Sequence, residues 1–357
     1  NLQDRAIQYN ILKREWETNK QLYSGLLERM KEVGVAAGME LNNISIIDRA
    51  VIPVAPYKPK LRSNVSVAGL LGLMGGLGLA FLLAYLDNTL RTPEELEKVL
   101  GLSSLGMVPK ADPKELSEVT SLDLVSHQER DSELSEAFRS IRTSLMFSSP
   151  QGPPKTLLVT SATPSEGKSM NAANLAVVLA QNNAAVLLVD SDLRKPRIHR
   201  IFGKPLSPGL TEHLVGKRQN TIHDTEIPNL SVISAGTLPP NPAELLGSTS
   251  MDTFLNVMSD MFDYVILDSA PILGLADSVI TSTKVKGTLL TVNASTTSKH
   301  AVREAVKRLR NVQAPLLGAV LNMVDMSSNE YGYYCNYYYS YKTDKKDLEK
   351  LAVGGRA

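Results

Sequence analysis

Cysteine is nearly missing from this chain of 357 residues, where Cys335 stands alone. That excludes an internal disulfide framework and any metal site built on several thiolates. An excess of charge is missing too: 38 Lys and Arg face 37 Asp and Glu, a net charge of +1. No electrostatic argument for nucleic acid follows from that balance. The one local basic run, Arg194, Lys195, Arg197 and Arg200, is too short for a nucleic-acid stripe and is read as lining a polar site or facing solvent. The first residue is Asn rather than Met and no signal-peptide pattern follows, so the sequence reads as a fragment of a longer chain.

Charge is absent altogether from the 22 residues 65–86, VSVAGLLGLMGGLGLAFLLAYL. Such a run can cross a hydrocarbon core of about 30 Å, and globular helices seldom run so far without charge. It is read as a transmembrane helix. Ala68, Gly72, Gly76, Ala80 and Ala84 recur every fourth residue along it, a small-residue stripe for close helix packing. Residues 1–63 precede it. Leu2, Tyr9, Trp16, Tyr23 and Met30 fall at seven-residue spacing, with Leu12, Leu26 and Val33 on the companion stripe, which predicts a helical hairpin arm rather than a long dimeric coiled coil. Asn43 to Val51 then reads as a strand, and Pro53, Pro56 and Pro59 enforce an extended segment.

The stretch Thr156 to Ser169, TLLVTSATPSEGKS, joins an apolar strand to a turn of small residues and a helical run. That arrangement aims backbone N–H groups and the positive end of a helix at one point, where a polyphosphate fits. In the pattern G-x-x-x-x-G-K-[ST], Gly167, Lys168 and Ser169 match while Ala162 replaces the first glycine. Lys168 is placed to reach the β- and γ-phosphates, and Ser169 to hold Mg²⁺. VLLVDSDLR (186–194) and VILDSAP (265–271) put carboxylates at the ends of two more apolar strands. Strand C-terminal ends form the ligand crevice of an open parallel sheet, so three of them converge on a magnesium nucleotide.

From Lys155 onward strands and helices alternate: 156–160, 171–181, 185–190, 230–234, 243–261, 264–268, 287–292, 300–311 and 316–321. This predicts an α/β fold of the P-loop NTPase type, a mostly parallel sheet with helices on both faces. Ahead of it, Thr92 to Leu100 carries a Thr N-cap and Pro at the first helical position. Residues 109–130 read as a linker, and Ser132 to Phe147 as a helix with Glu136, Arg139 and Arg142 at three-residue steps. The domain reading is therefore a juxtamembrane linker over 87–130, a nucleotide domain over 131–325 and a tail over 326–357. Seven of the 12 tyrosines lie in that tail: Tyr331, Tyr333, Tyr334, Tyr337, Tyr338, Tyr339 and Tyr341. No aliphatic residues alternate with them as in a core strand, so they read as phenols presented on an exposed segment.

In order along the chain, these motifs resemble the bacterial tyrosine kinases (BY-kinases) fused to a polysaccharide co-polymerase membrane domain. The likeness also runs through LDNTLRTPEELEKVLG (86–101), ELSEAFRSIRTSL (133–145), VDSDLRKPRIHRIFG (189–203), LPPNPAELLGS (238–248), ILDSAPILGLADS (266–278) and LGAVLN (317–322). The resemblance implies an ATP- and Mg²⁺-dependent tyrosine autokinase with Lys168 as the Walker A lysine. The loop Thr163, Pro164, Ser165, Glu166, Gly167 and Met170 would surround the phosphates. Asp190 and Asp192 would supply the base and a metal ligand, the choice between them open, with Ser169, Asp192 and Asp268 on the magnesium side. Glu136, Arg139 and Arg142 would form a subunit contact in a homo-oligomeric ring. The tail tyrosines would be phosphorylated between neighbours and reversed by a phosphatase, in step with polysaccharide polymerase and export machinery. Asn322 is either an adenine contact or a strand-end turn residue.

A phosphoryl-transfer site needs positioning, charge neutralisation and a group to orient the nucleophile, and the protein-kinase Gly-rich loop and H-R-D sequence are absent here. ATP is cytoplasmic, so the nucleotide domain is placed on the cytoplasmic side of the bacterial inner membrane. Lys58, Lys60 and Arg62 before the apolar run argue the opposite by the positive-inside rule and are overruled. An earlier transmembrane helix is then expected upstream. Three residues depart from the family pattern: Ser165 for Gly, Met170 for a small hydroxyl residue and Ala270 for Pro. Two other readings compete, a partition or septum-type ATPase and a structural co-polymerase that binds ATP without transferring phosphate.

Overall fold

The computed structural model describes residues 2–38, 47–49, 52, 57–86, 88–111, 121–148, 152–217 and 220–326. The predicted tail tyrosines and most of the predicted strand 43–51 lie outside these. Contacts divide the chain after Gly78 into two units.

In the first unit α1 (Leu2–Gly38) is one uninterrupted helix. Its seven-residue stripe is bare, with Tyr9, Trp16, Tyr23 and Met30 all exposed. No second arm packs on it among the described residues. Residues 47–49 are not in a strand. Helix α2 (Leu61–Leu86) begins just after Pro59, earlier than the uncharged run itself, because the polar Arg62, Ser63 and Asn64 form its first turn. Its stretch Leu61–Leu83 is long and apolar enough to cross a membrane, and none of it is buried, unlike the core helix of a soluble protein. Gly72 and Gly76 of the small-residue stripe face open space.

The second unit is built from α3 (Pro93–Leu100), β1 (Ser104–Pro109), α4 (Val125–Gln128), α5 (Glu133–Met146), β2 (Thr156–Ser161), α6 (Lys168–Ala180), β3 (Val186–Asp190), α7 (Ile198–Ile201), α8 (Leu210–Leu214), β4 (His223–Asp224), β5 (Leu230–Ile233), α9 (Pro242–Gly247), α10 (Thr249–Met261), β6 (Tyr264–Asp268), α11 (Asp277–Ser282), β7 (Gly287–Asn293), α12 (Lys299–Asn311) and β8 (Leu316–Val324). The sheet order is β1-β8-β7-β2-β6-β3-β5-β4. Every neighbouring pair is parallel except β4 with β5. Side chains alternate between the two faces as the strand period requires. Leu157, Val159, Val186 and Leu188 pack with α5 and α6 on one face, while Leu158, Leu187 and Val189 pack with α10 on the other. Beside the latter, Leu290, Val292 and Leu321 meet α3 and α12.

Two readings need correction. The stretch 87–130 is not simply a linker, since α3 sits in the core through Leu96 and Leu100 and β1 is an edge strand on β8. Gly106 and Pro109 hid β1, because both weaken a strand signal. Gly106 is needed there: a Cβ would lie 2.6 Å from Cγ1 of Ile141. Residues 121–128 are held by a buried amide, Asn174 in α6. Its Oδ1 accepts from the N–H of Ser126 at 2.9 Å and its Nδ2 donates to the carbonyls of Leu122 and Asp123 at 3.0 and 3.2 Å. The second correction is that the single helix expected over 243–261 breaks at Ser248, which is extended (φ −68°, ψ 161°) and caps both α9 and α10.

Helix α3 begins as predicted, with Thr92 accepting from the N–H of Glu95 at 3.2 Å. Phe138 of α5 is buried in the cluster that α5 shares with β1 and α6. Phe138→Ala should therefore cost about 3–5 kcal/mol of stability, measured by denaturant unfolding of the detergent-solubilised chain; a loss under about 1 kcal/mol would contradict this packing.

Candidate nucleotide site

The loop from Ala162 to Gly167 turns β2 into α6 at the C-terminal edge of the sheet. Its crest, Pro164 and Ser165, is exposed, while Glu166, Lys168 and Ser169 are buried. Gly167 caps α6 with φ +91°, and Ser165 holds φ +66°, a left-handed conformation that suits glycine better than serine. The departure at Ser165 therefore falls on a position where glycine would be unstrained. Glu166 folds back, its Oε1 accepting from the N–H of Thr163 at 2.7 Å and from the Thr163 hydroxyl. Burial pushes its carboxyl above the usual range, with the Thr163 bonds acting the other way. Met170 is half-buried and packs on the core beneath α6 rather than on the loop crest.

Lys168 is the hub. Its Nζ lies 2.9 Å from Oδ2 of Asp192 and 3.8 Å from Oδ1 of Asp268. Burial alone would lower the lysine, but Asp268 and Asp192 outweigh it and hold the ammonium charged. The other oxygen of Asp192 accepts from the N–H groups of Arg194 and Lys195, at 3.3 and 2.9 Å. Asp190 and Asp268 sit opposite each other on β3 and β6. Oδ2 of Asp190 accepts from the N–H groups of Arg197 and Ile198, both at 2.9 Å. Burial, with Asp268 next to it, pushes Asp190 well above the ordinary carboxylate range. Asp268 is raised by burial as well, with Lys168 opposing.

These residues fit a magnesium nucleotide. Both oxygens of Asp268 and Oδ1 of Asp190 are buried without a well-formed hydrogen bond, and leftover buried acceptors suit a cation or its waters. Among the described residues no three acidic, His or Cys side chains form a metal cage. Mg²⁺ in phosphate sites relies instead on one or two carboxylates, waters and phosphate oxygens.

Asn322 lies within β8 rather than in a turn, fully buried, its Nδ2 donating to the Glu166 carbonyl at 2.8 Å. A Cβ on Gly167 would come within 2.0 Å of that nitrogen, so the glycine and the amide fit each other. Sequence reasoning missed a second support, Asp277 of α11. It takes two hydrogen bonds from Arg194, at 2.7 and 3.1 Å, across 83 positions of sequence. No local pattern marks that pair. Of the other basic residues, Arg197 reaches Asp123 at 3.3 Å. On α5, Glu136 and Arg139 pair with each other at 2.7 Å, and Arg142 donates to the Val178 carbonyl near the end of α6 at 2.9 Å.

Two family models match the chain. One, GNVR, described as a "G-rich domain on putative tyrosine kinase", covers residues 3–85. The other, ParA, described as an NUBPL iron-transfer P-loop NTPase, covers 154–353. Among solved structures, the kinase domain of the Escherichia coli tyrosine kinase ETK is 30% identical with a TM-score of 0.63, over 67% of this chain and 97% of that one. This chain belongs to the bacterial tyrosine kinases. The chimerical protein CapA2B2 is also similar, at 33% identity and a TM-score of 0.60 over 66% of this chain and all of that one. In sequence, the "Putative tyrosine-protein kinase EpsB" of Ralstonia solanacearum is 32% identical over 95% of this chain, and the tyrosine-protein kinase Etk of E. coli K12 is 32% identical over 90%. The chain spans about half the length of these two relatives, 47% of each. Its P-loop NTPase fold brings a nucleotide site, and its G-rich domain and apolar helix associate it with a membrane.

Two outcomes follow from the geometry. Ser165→Gly should raise stability by about 1 kcal/mol by relieving the left-handed strain, seen as a higher melting temperature; a lower one would refute the strain. Asp190→Asn should stabilise the chain at pH 7 to 8. A carboxyl raised in the folded state contributes stability below its unfolded pKa of about 4 that is lost as pH rises through the folded value. The advantage of the amide should thus vanish as the melting buffer approaches pH 4. An advantage independent of pH would contradict the raised carboxyl.

Proposed function

We propose that the chain is the cytoplasmic end and membrane anchor of an ATP-dependent tyrosine autokinase that phosphorylates its own tail, Tyr331 to Tyr341, in trans within a ring. The observation that carries this is the buried ammonium of Lys168 held by Asp192 and Asp268 beside Asp190, at the mouth of a P-loop. In this reading the loop Thr163 to Gly167 wraps the phosphates with backbone N–H groups, and Lys168 neutralises their charge. Ser169, Asp192 and Asp268 would hold Mg²⁺, which supplies further charge neutralisation on the phosphates. Asp190 is the acceptor for the phenol proton: its Oδ1 is uncommitted, and its raised affinity for a proton narrows the gap to a phenol of pKa about 10. Lys168 leaving Asp192 for the phosphates would open the carboxylates to the incoming ring.

The same reading puts the nucleotide domain on the cytoplasmic face of the inner membrane, with Glu136, Arg139 and Arg142 of α5 as the contact to a neighbouring subunit, Arg142 exchanging its bond to the Val178 carbonyl on assembly. A phosphatase would reset the tail. Relatives named for an exopolysaccharide or capsule setting, such as the Klebsiella pneumoniae kinase "in cps region", support a role in polysaccharide polymerisation and export. Each phosphotyrosine adds roughly −1.5 to −2 charge, so a modified tail would loosen the ring by repulsion.

Incubation of the chain with Mg-ATP, followed by intact-mass and peptide mapping, tests the reading. Several phosphates on the 331–341 peptide are expected, falling at least about 100-fold in Lys168→Met. Tight ATP binding with an unmodified tail would overturn it in favour of a structural co-polymerase.

A further inference from the structure

Helix α12 is the most basic element of the fold. Lys299, Arg303, Lys307, Arg308 and Arg310 stand against one acid, Glu304. Three of the five cations are engaged: Lys299 with Glu95 at 3.0 Å, Arg308 with Glu304 at 3.6 Å, and Arg310 with the Leu100 carbonyl at 2.7 Å. Arg303 and Lys307 are exposed and have no acceptor among the described residues. Four positions apart, they share one helix face, where like charges repel. Both border a cleft of about 230 Å³ between α3 and α12, with Arg310 at one side and Val99, Leu100 and Val306 supplying apolar surface.

The chain ties this helix to the apolar one. Helix α2 ends at Leu86. Two residues later the carbonyl of Asn88 accepts from the N–H of Lys299, the first residue of α12, at 2.7 Å, and Thr89 bridges Ser298. Two residues of chain reach at most about 7 Å, and Lys307 lies about 12 Å along the helix from Lys299. The unpaired cations therefore lie within about 25 Å of the point where the chain leaves α2, and contact with headgroups requires this face of the domain to lie on the surface, since the attraction fades within a Debye length.

We infer that the cleft between α3 and α12 binds the phosphate headgroups of anionic phospholipids in the membrane that α2 crosses. This rests on reading α2 as the membrane span. The guanidinium of Arg303 and the ammonium of Lys307 meet the phosphodiester oxygens, and the apolar surface takes the glycerol and upper acyl carbons. A cluster of basic residues just beyond a membrane helix is the setting in which such attraction is strongest. Headgroup capture would fix the side of the nucleotide domain that lies on the bilayer.

The test uses the full chain in nanodiscs of phosphatidylcholine, with or without phosphatidylglycerol, after phosphatase treatment. Hydrogen exchange is read on the peptide 299–311. Exchange is expected to slow by up to about 30-fold with phosphatidylglycerol, the factor that two basic side chains add to contact with an anionic surface. Arg303→Gln with Lys307→Gln should abolish the slowing, and Arg303→Lys with Lys307→Arg should keep it. Equal exchange in the two discs would overturn the inference. So would slowing that needs a phosphorylated tail instead of anionic lipid, which would assign the cleft to phosphotyrosine. A chain that enters neither disc would remove the span reading and this inference with it, leaving the kinase reading untouched.

Discussion

Everything around the nucleotide site depends on balancing one buried positive charge. Taking an ammonium out of water costs several kcal/mol unless opposite charge accompanies it, and Lys168 is accompanied by Asp192 and Asp268, with Asp190 beside them. Three carboxylates on one cation leave the cluster over-negative, which is why burial and mutual repulsion raise Asp190 and Asp268. The site is poised for more positive charge before phosphate arrives. Backbone N–H groups of the turn after β3 fix Asp190 and Asp192, so two of the three carboxylates are held by the chain itself.

The second constraint is the depth of α6. Nearly every residue of that helix is buried, since the sheet covers one side and α5 with residues 121–128 covers the other. A helix buried all round loses its amphipathic stripe. Small residues such as Ala172, Ala173 and Ala176 let the layers close over it. The amides that remain, Asn171 and Asn174, each bind an element far away in sequence, at Thr291 and at Ser126.

How much of this could be read from sequence depends on where the information is local. The P-loop, the two carboxylate strands and the Thr92 cap are written in consecutive residues, and the structure places them as read. β1 was illegible because its strand character comes from its partner β8, across more than 200 positions, while its own Gly106 and Pro109 argue against a strand. The docking of residues 121–128 rests on Asn174, which looks like any polar residue in a helix. Asp277 escaped notice for the same reason: its partner Arg194 is near only after folding. The reverse case is Ser165, a departure from the family pattern that is plain in the sequence and whose backbone cost shows in its φ of +66°.

The position of β8 has a consequence for biosynthesis. It is the last described strand in the chain, yet it sits between β1 and β7 and supplies Asn322 to the P-loop. Until residue 324 has left the ribosome, β1 has no neighbour and the loop lacks its brace. Local elements such as α3 can form early, but the edge of the sheet closes only through contacts of very long sequence separation, the slow class. A chain made from its N-terminal end thus carries an unpaired β1 and an open β7 edge until β8, the last described strand, is made, and only then does Asn322 reach the P-loop.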